Sequence, residues 1–312
     1  MRAAFVNRLT ELAASDPRIV LITGDLGFGV LDEFEKRFPR QFLNVGVAEQ
    51  NMTAVATGMA LDGYIVFTYS IGNFPTLRCL EQLRNDAFYH GANVKVVSVG
   101  GGFSYGQLGM SHHATEDLSI LRALPGCTIC APGSQYETAC LVDAVVAQRG
   151  PAYLRLERGS AEFADGPDIR CELGKARMLR DGNACTIIAT GGVVSEVIAA
   201  AVLLESQRMP CRVLSMHTLK PLDAAAITNA AAETGGICTV EENSVFGGLG
   251  GAVAEVCLES SVRPQRFLRL GIKDCYTSVV GDQDYLRKTT GIDRQSIFQS
   301  VTALINSPAA HS

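Results

Sequence analysis

Apolar positions along the chain fall into short strand-like runs that alternate with longer stretches of helical spacing. Residues 19–23 form the first run, Ile-Val-Leu-Ile-Thr, and end in Gly24-Asp25. Residues 48–61 carry apolar and small side chains at helical spacing, 65–68 are strand-like, 77–88 are amphipathic, and 94–99 form another apolar run. A short run at 129–131 leads to Pro132 and a helical stretch over 136–148, and 152–156 closes the series. This alternation predicts a parallel sheet covered by helices. Residues 160–168 hold Gly, Pro and several acids with few apolar side chains, and read as a linker. Beyond them the rhythm restarts: 185–190, Gly191-Gly192, a helix over 194–205, then 211–215, 237–241, a glycine-rich turn and a helix over 252–258. The expected architecture is α/β, with two doubly wound domains. The first spans 1–165, the linker 166–180, and the second, smaller domain 181–312.

Composition agrees with two cores, since 47% of the 312 residues are hydrophobic and only 19% are charged. The net charge of −5 is spread without long runs, so no stripe of positive potential is available for nucleic acid. No apolar run approaches the about 20 residues of a membrane span, and Met1-Arg2-Ala3 leads straight into an amphipathic stretch instead of a signal peptide. The ten cysteines are scattered through apolar segments. The one close pair, Cys127 and Cys130, alternates as in a strand and lacks zinc-type spacing. Buried free thiols in a reducing cytoplasm are expected.

Two segments carry candidate chemistry. In residues 44–52, Asn-Val-Gly-Val-Ala-Glu-Gln-Asn-Met, Glu49 opens a helix just after an extended run. A glutamate favoured by the helix dipole accounts for it. So does a functional carboxyl in an apolar setting, suited to sharing a proton with a ring nitrogen. The second segment, 100–117, follows the run 94–99. Its glycines allow tight turns and close approach of a ligand, and it holds two of the chain's five histidines, His112 and His113. Open α/β sheets place ligand sites at such strand ends, so this pair favours function over structure.

The order of Gly24-Asp25-Leu26, Val45-Gly46-Val47-Ala48-Glu49-Gln50 and Ser111-His112-His113-Ala114-Thr115-Glu116-Asp117-Leu118 resembles the pyrimidine-binding domain of the transketolase family. Later motifs are similar to that family's C-terminal domain: Ile188-Ala189-Thr190-Gly191, Leu219-Lys220-Pro221-Leu222-Asp223, Val240-Glu241-Glu242 and the glycine cluster at 247–251. The resemblance covers nearly the whole chain. It implies that Glu49 hydrogen-bonds N1′ of the aminopyrimidine of thiamine diphosphate and so readies the thiazolium C2 as a nucleophile. It implies further that His112 meets donor hydroxyl or carbonyl oxygens, with His113 beside it at the substrate. Asp25 would lie near the cofactor, and Phe74 would stack on the pyrimidine, with an ordinary core phenylalanine as the alternative. Arg158 matches an arginine that binds sugar phosphate, or is a surface residue beside the linker; Arg2 is a weaker match of the same kind. The cluster at 247–251 reads as a tight helix entry.

Two positions depart from the family pattern. Gly100 stands where a second, phosphate-contacting histidine is expected, and Gly27-Phe28-Gly29 offers no hydroxyl where a serine is expected. Both weaken a grip on phosphate, which opens the donor to a smaller or unphosphorylated ketose or a 2-oxo acid. The family's Gly-Asp-Gly…Asn signature for Mg²⁺ and diphosphate has no match here; Gly281-Asp282-Gln283 has the wrong third residue. A separate N-terminal transketolase-like subunit is therefore implied, carrying the diphosphate-binding domain and the Mg²⁺ ligands in an α2β2 assembly. The expected activity is that of the β half of a split transketolase, moving a two-carbon ketol unit from a ketose to an aldehyde. The alternative is the β half of a decarboxylating 2-oxo acid enzyme of pyruvate dehydrogenase E1 type, passing its unit to a lipoyl group or carrier protein. A degenerate subunit kept for assembly is a third reading, which the joint presence of Glu49, His112 and Asp25 opposes.

Overall fold

The computed structural model describes residues 1–158 and 171–308. Its strands are β1 (Ile19–Thr23), β2 (Phe42–Asn44), β3 (Ile65–Ile71), β4 (Val94–Val99), β5 (Thr128–Cys130), β6 (Ala152–Leu156), β7 (Arg177–Arg180), β8 (Cys185–Thr190), β9 (Cys211–Ser215), β10 (Thr218–Lys220), β11 (Ile237–Ser244) and β12 (Phe267–Ile272). They form a seven-stranded sheet, β10-β5-β6-β4-β3-β1-β2, and a five-stranded sheet, β12-β11-β8-β9-β7. Only the edge strands β10 and β7 pair antiparallel, with β5 and β9 respectively. Every residue of β1, β4, β6 and β8 is buried. Helices cover both faces of a parallel sheet, which is why these strands read as unbroken apolar runs.

The expected linker at 160–168 lies outside the described residues. Residues 177–180, expected to be linker as well, form β7 and belong to the second sheet. The division between the halves is also less clean than the sequence predicts, because β10 crosses over to pair Thr218 with Cys130 and Lys220 with Ile129. Lys220 Nζ then donates to the carbonyls of Arg122, at 3.2 Å, and Leu124, at 2.6 Å, beside the end of helix Asp117–Ala123. One apolar core accordingly runs through both halves, joining Leu121 and Ile129 to Leu219, Ile227 and Leu249. The amphipathic stretch 77–88 is not one regular helix. It is a 3₁₀ turn (Leu77–Cys79), a short α turn (Leu80–Gln82) and a π turn (Leu83–Phe88).

A buried ionic cluster joins the two sheets. Arg155 on β6 pairs with Asp117 at 3.1 Å and lies 3.8 Å from Glu157. Arg287, from helix Gln283–Thr290, bonds Glu157 at 3.2 Å and also Glu242 on β11. Gln283 Nε2 bridges the same carboxylates, donating to Glu242 at 2.8 Å and Glu157 at 3.1 Å. Burial raises the Glu157 carboxyl above its usual range, and the Glu242 charge adds to that rise. A Cβ on Gly192 would lie 2.2 Å from a Glu157 oxygen, and one on Gly102 2.2 Å from a Glu242 oxygen, so both glycines are needed for close backbone approach.

All ten cysteines are free thiols; seven are buried, and Cys275 is exposed. Among the described residues no helix is long and apolar enough to cross a membrane.

Replacing Arg287 with Ala leaves two carboxylates buried without their shared cation. The expected loss is about 3–5 kcal/mol of stability, the usual result of breaking a buried pair. Urea unfolding of the full chain measures it, and an unchanged midpoint would contradict this role.

Candidate active site

β1 lies between β2 and β3: the chain runs from β1 to β2 on one side and then crosses back to β3 on the other. Such a switch point opens a crevice beyond the carboxyl ends of the strands. β1 delivers Gly24-Asp25 to this crevice, β2 leads to Glu49, and β3 leads to Asn73-Phe74. Three of the candidate residues thus converge through topology alone.

Glu49 is the first residue of helix Glu49–Leu61, where the exposed amide ends favour a carboxylate. It is only 2% exposed, and Gly24 at the end of β1 lies beside it, where a Cβ would make ordinary contact with Glu49 Cγ at 3.7 Å. The carboxyl is not in a purely apolar setting, as the sequence suggested. Arg78 Nη1 donates to Glu49 Oε2 at 2.8 Å. The Arg78 guanidinium also covers the Phe74 ring, 4.4 Å from its centroid. On another side of Phe74 stands His112, edge-on with centroids 5.3 Å apart. Asp25 has a left-handed backbone, with φ of 58°. Asn44 holds it there, accepting from the Asp25 amide at 3.0 Å and donating to its carboxylate at 3.1 Å. The Asp25 side chain is exposed at the crevice.

His112 and His113 face different surroundings. His112 Nδ1 lies 3.0 Å from Ser111 Oγ, and the ring is partly open. Burial lowers its pKa below the ordinary imidazole value, with a further contribution from His113, so His112 is neutral at pH 7. His113, expected at the substrate, is only 3% exposed and sits edge-on to Phe103. Its Nε2 contacts the Gly106 carbonyl at 3.0 Å. A carbonyl only accepts, so Nε2 carries a proton, and Nδ1 has no hydrogen-bond partner among the described residues. Asn73 Nδ2 ties the histidine loop to the end of β3 through the His113 carbonyl, at 2.9 Å.

A cleft of about 540 Å³ adjoins this group, lined by Phe74, Leu77, Arg78, Ser111, His113 and Tyr276. Arg158 opens onto a different cleft, of about 410 Å³, which it shares with Arg2, Val30 and Gln135. Tyr105 connects the two regions: its ring lies 6.5 Å from His112 and 6.0 Å from the Arg158 guanidinium. The same ring covers Gly100, where a Cβ would lie 2.2 Å from it. A slightly larger cleft of about 570 Å³, lined by Arg84, Phe88, Tyr89 and His90, contains none of these residues.

Residues 1–162 match the transketolase pyrimidine-binding domain, and residues 174–297 match the transketolase C-terminal domain. The chain belongs to the transketolase family. It is 38% identical over 301 residues to a 6-deoxy-6-sulfo-D-fructose transketolase subunit of Clostridium sp. (strain MSTE9), covering 96% of this chain and 92% of that one. It is also 38% identical to an apulose-4-phosphate transketolase subunit of Phocaeicola vulgatus, over 97% of both chains. Its match to a 1-deoxy-D-xylulose-5-phosphate synthase of Chlorobium luteolum, 35% identical, spans 97% of this chain but 48% of that longer protein. Among solved structures it resembles one described as a split gene transketolase, inactive beta4 tetramer, with a TM-score of 0.87, 33% identity and 97% coverage of each chain. This transketolase-family chain is thus a subunit of a thiamine-dependent transferase.

Sequence reasoning missed Arg78, Asn44 and Tyr105. Arg78 is 29 residues from Glu49, in a stretch whose only local signal is its spacing of four from Phe74. Tyr105 gains its meaning only from the position of its ring over Gly100.

An NMR titration of the histidine rings should place the His112 midpoint below 6.5, the ordinary value. His113→Phe removes the neighbouring imidazole and should move that midpoint upward. A His112 midpoint above the ordinary value would contradict the burial described.

Proposed function

We propose that this chain is the β subunit of a split, thiamine-diphosphate-dependent transketolase, which moves a two-carbon ketol unit from a ketose donor to an aldehyde acceptor. One arrangement carries the reading: a buried carboxylate, an aromatic face and a neutral imidazole meet at the topological switch point. These residues fit an aminopyrimidine, a flat ring that needs an aromatic neighbour and a carboxyl able to share a proton with its ring nitrogen. Phe74 supplies the face and Glu49 the carboxyl.

When bound, thiamine diphosphate supplies the electron sink for breaking and making the carbon–carbon bond. Glu49 holds a proton at the pyrimidine N1′ edge, and burial at a helix start fixes its position. His112 is neutral, so one ring nitrogen can donate to a donor oxygen while the other accepts. Asp25, held by Asn44, orients polar groups at the same opening. We assign His113 to the loop instead of the substrate, because its Nε2 is committed to Gly106. Tyr105 takes the space of any side chain at position 100, which leaves Arg158, with Arg2 in the same cleft, as the cations facing the far end of a donor. A terminal anion on the donor is therefore gripped by arginine alone.

The diphosphate and Mg²⁺ fall, in this reading, to a separate N-terminal subunit in an α2β2 complex. Support comes from the rim of the crevice. Phe28, Val47 and Tyr276 are 78%, 72% and 77% exposed there, beside Asp25, Glu49 and the adjoining cleft. Large apolar side chains grouped around a polar site mark a surface that another chain covers.

The test mixes this chain with its diphosphate-binding partner, thiamine diphosphate and Mg²⁺, and supplies ketose donors with an aldehyde acceptor. Ketol transfer without carbon dioxide release is expected, and Glu49→Gln should lower kcat about 10²–10⁴-fold. Release of carbon dioxide from a 2-oxo acid, with no ketose cleaved, would overturn the transketolase reading in favour of a decarboxylating enzyme.

A further inference from the structure

Arg78 makes both contacts that the proposed function reserves for the pyrimidine ring. Its Nη1 donates to Glu49 at 2.8 Å, and its guanidinium carbon stands 4.4 Å over the centre of Phe74. A guanidinium is flat and delocalised, stacks on aromatic faces and pairs with carboxylates. Those properties match the recognition features of an aminopyrimidine. The two groups cannot occupy the same ring face and the same carboxylate edge together.

The surroundings show which part of Arg78 is free to leave. Its amide donates to the Asn73 carbonyl at 3.2 Å, and its own carbonyl accepts from Gln50 Nε2 at 3.2 Å. The backbone is thus pinned at both groups. The side chain is 46% exposed, whereas the Glu49 side chain that it pairs is 3% exposed. A buried carboxylate without a partner is strongly unfavourable, so an unloaded chain gains stability by holding a cation there. When a ring arrives, the arginine head has open solvent to turn into.

We infer that Arg78 is a stand-in for the pyrimidine: it neutralises Glu49 and covers Phe74 in the unloaded chain, and swings out when the cofactor is loaded. The inference rests on the roles given to Glu49 and Phe74 under the proposed function. Cofactor binding is then an exchange. Apparent affinity falls in proportion to the fraction of molecules whose seat is open. Arg78 acts as a positioning residue that sets loading and takes no part in the chemical step.

Calorimetric titration of thiamine diphosphate, with Mg²⁺, into the complex of the full chain and its diphosphate-binding partner tests this. Wild type is compared with Arg78→Gln and Arg78→Ala, and thermal unfolding of each chain alone is measured alongside. Both variants should bind the cofactor roughly tenfold tighter or more, although each chain alone melts at a lower temperature. Adding Glu49→Gln to Arg78→Ala should restore much of the lost melting temperature, because no carboxylate then remains unpaired. A merely structural arginine would lower stability and affinity together. Equal or weaker cofactor binding by Arg78→Gln, with wild type binding normally, overturns this inference and leaves the function intact. A wild-type complex that binds no thiamine diphosphate overturns both.

Discussion

A carboxylate taken out of water must find a compensating group, and Glu49 meets that requirement at the centre of this molecule. It is buried at a helix start and paired with Arg78, whose guanidinium covers the Phe74 ring. The helix amides and Arg78 together make that position tolerable. Much of the surrounding architecture follows from holding it there. β1 brings Gly24 beside it, β2 leads into its helix, and Phe74 presents its face at the end of β3.

The second domain contributes to the same site from a distance. Its β11 residue Glu242 accepts from the Phe103 amide at 2.5 Å, at the base of the loop that carries His112. The far end of that loop is held by the Ser244 amide, which donates to the Thr115 carbonyl at 2.7 Å. Arg155 Nη2 adds bonds to the Ala114 and Glu242 carbonyls, both at 2.8 Å. The ionic cluster between the sheets is therefore also the mount for the histidine loop. Neither end of that loop is secured by its own domain alone, which ties the position of His112 to interdomain packing.

Much of this was legible in the sequence. β1, β4, β6, β8 and β9 are buried along nearly their whole length, so their apolar runs marked them residue for residue. Strands that lie at edges were not legible. β2 is half exposed, and β7, β10 and β12 are short or partly polar at the surface, so none leaves a continuous apolar signature. Of the site, Glu49, Asp25, Phe74 and His112 do converge, because their motifs sit at the ends of strands. The burial of His113 was hidden, since adjacent residues in a loop give no sign of which one is enclosed. Arg78 was hidden for a different reason: its meaning depends on a contact between segments far apart in the chain.

In the function proposed above, Glu49 is half of a cofactor site, completed by another subunit. The exchange of the thiazolium C2 proton of thiamine diphosphate for deuterium, followed by quenched-flow NMR, tests it most directly. The chain mixed with its diphosphate-binding partner should accelerate that exchange strongly, whereas either chain alone, and the mixture containing Glu49→Gln, should leave it near the rate in buffer. Fast exchange with this chain alone, or undiminished exchange in the Glu49→Gln mixture, would contradict the claim.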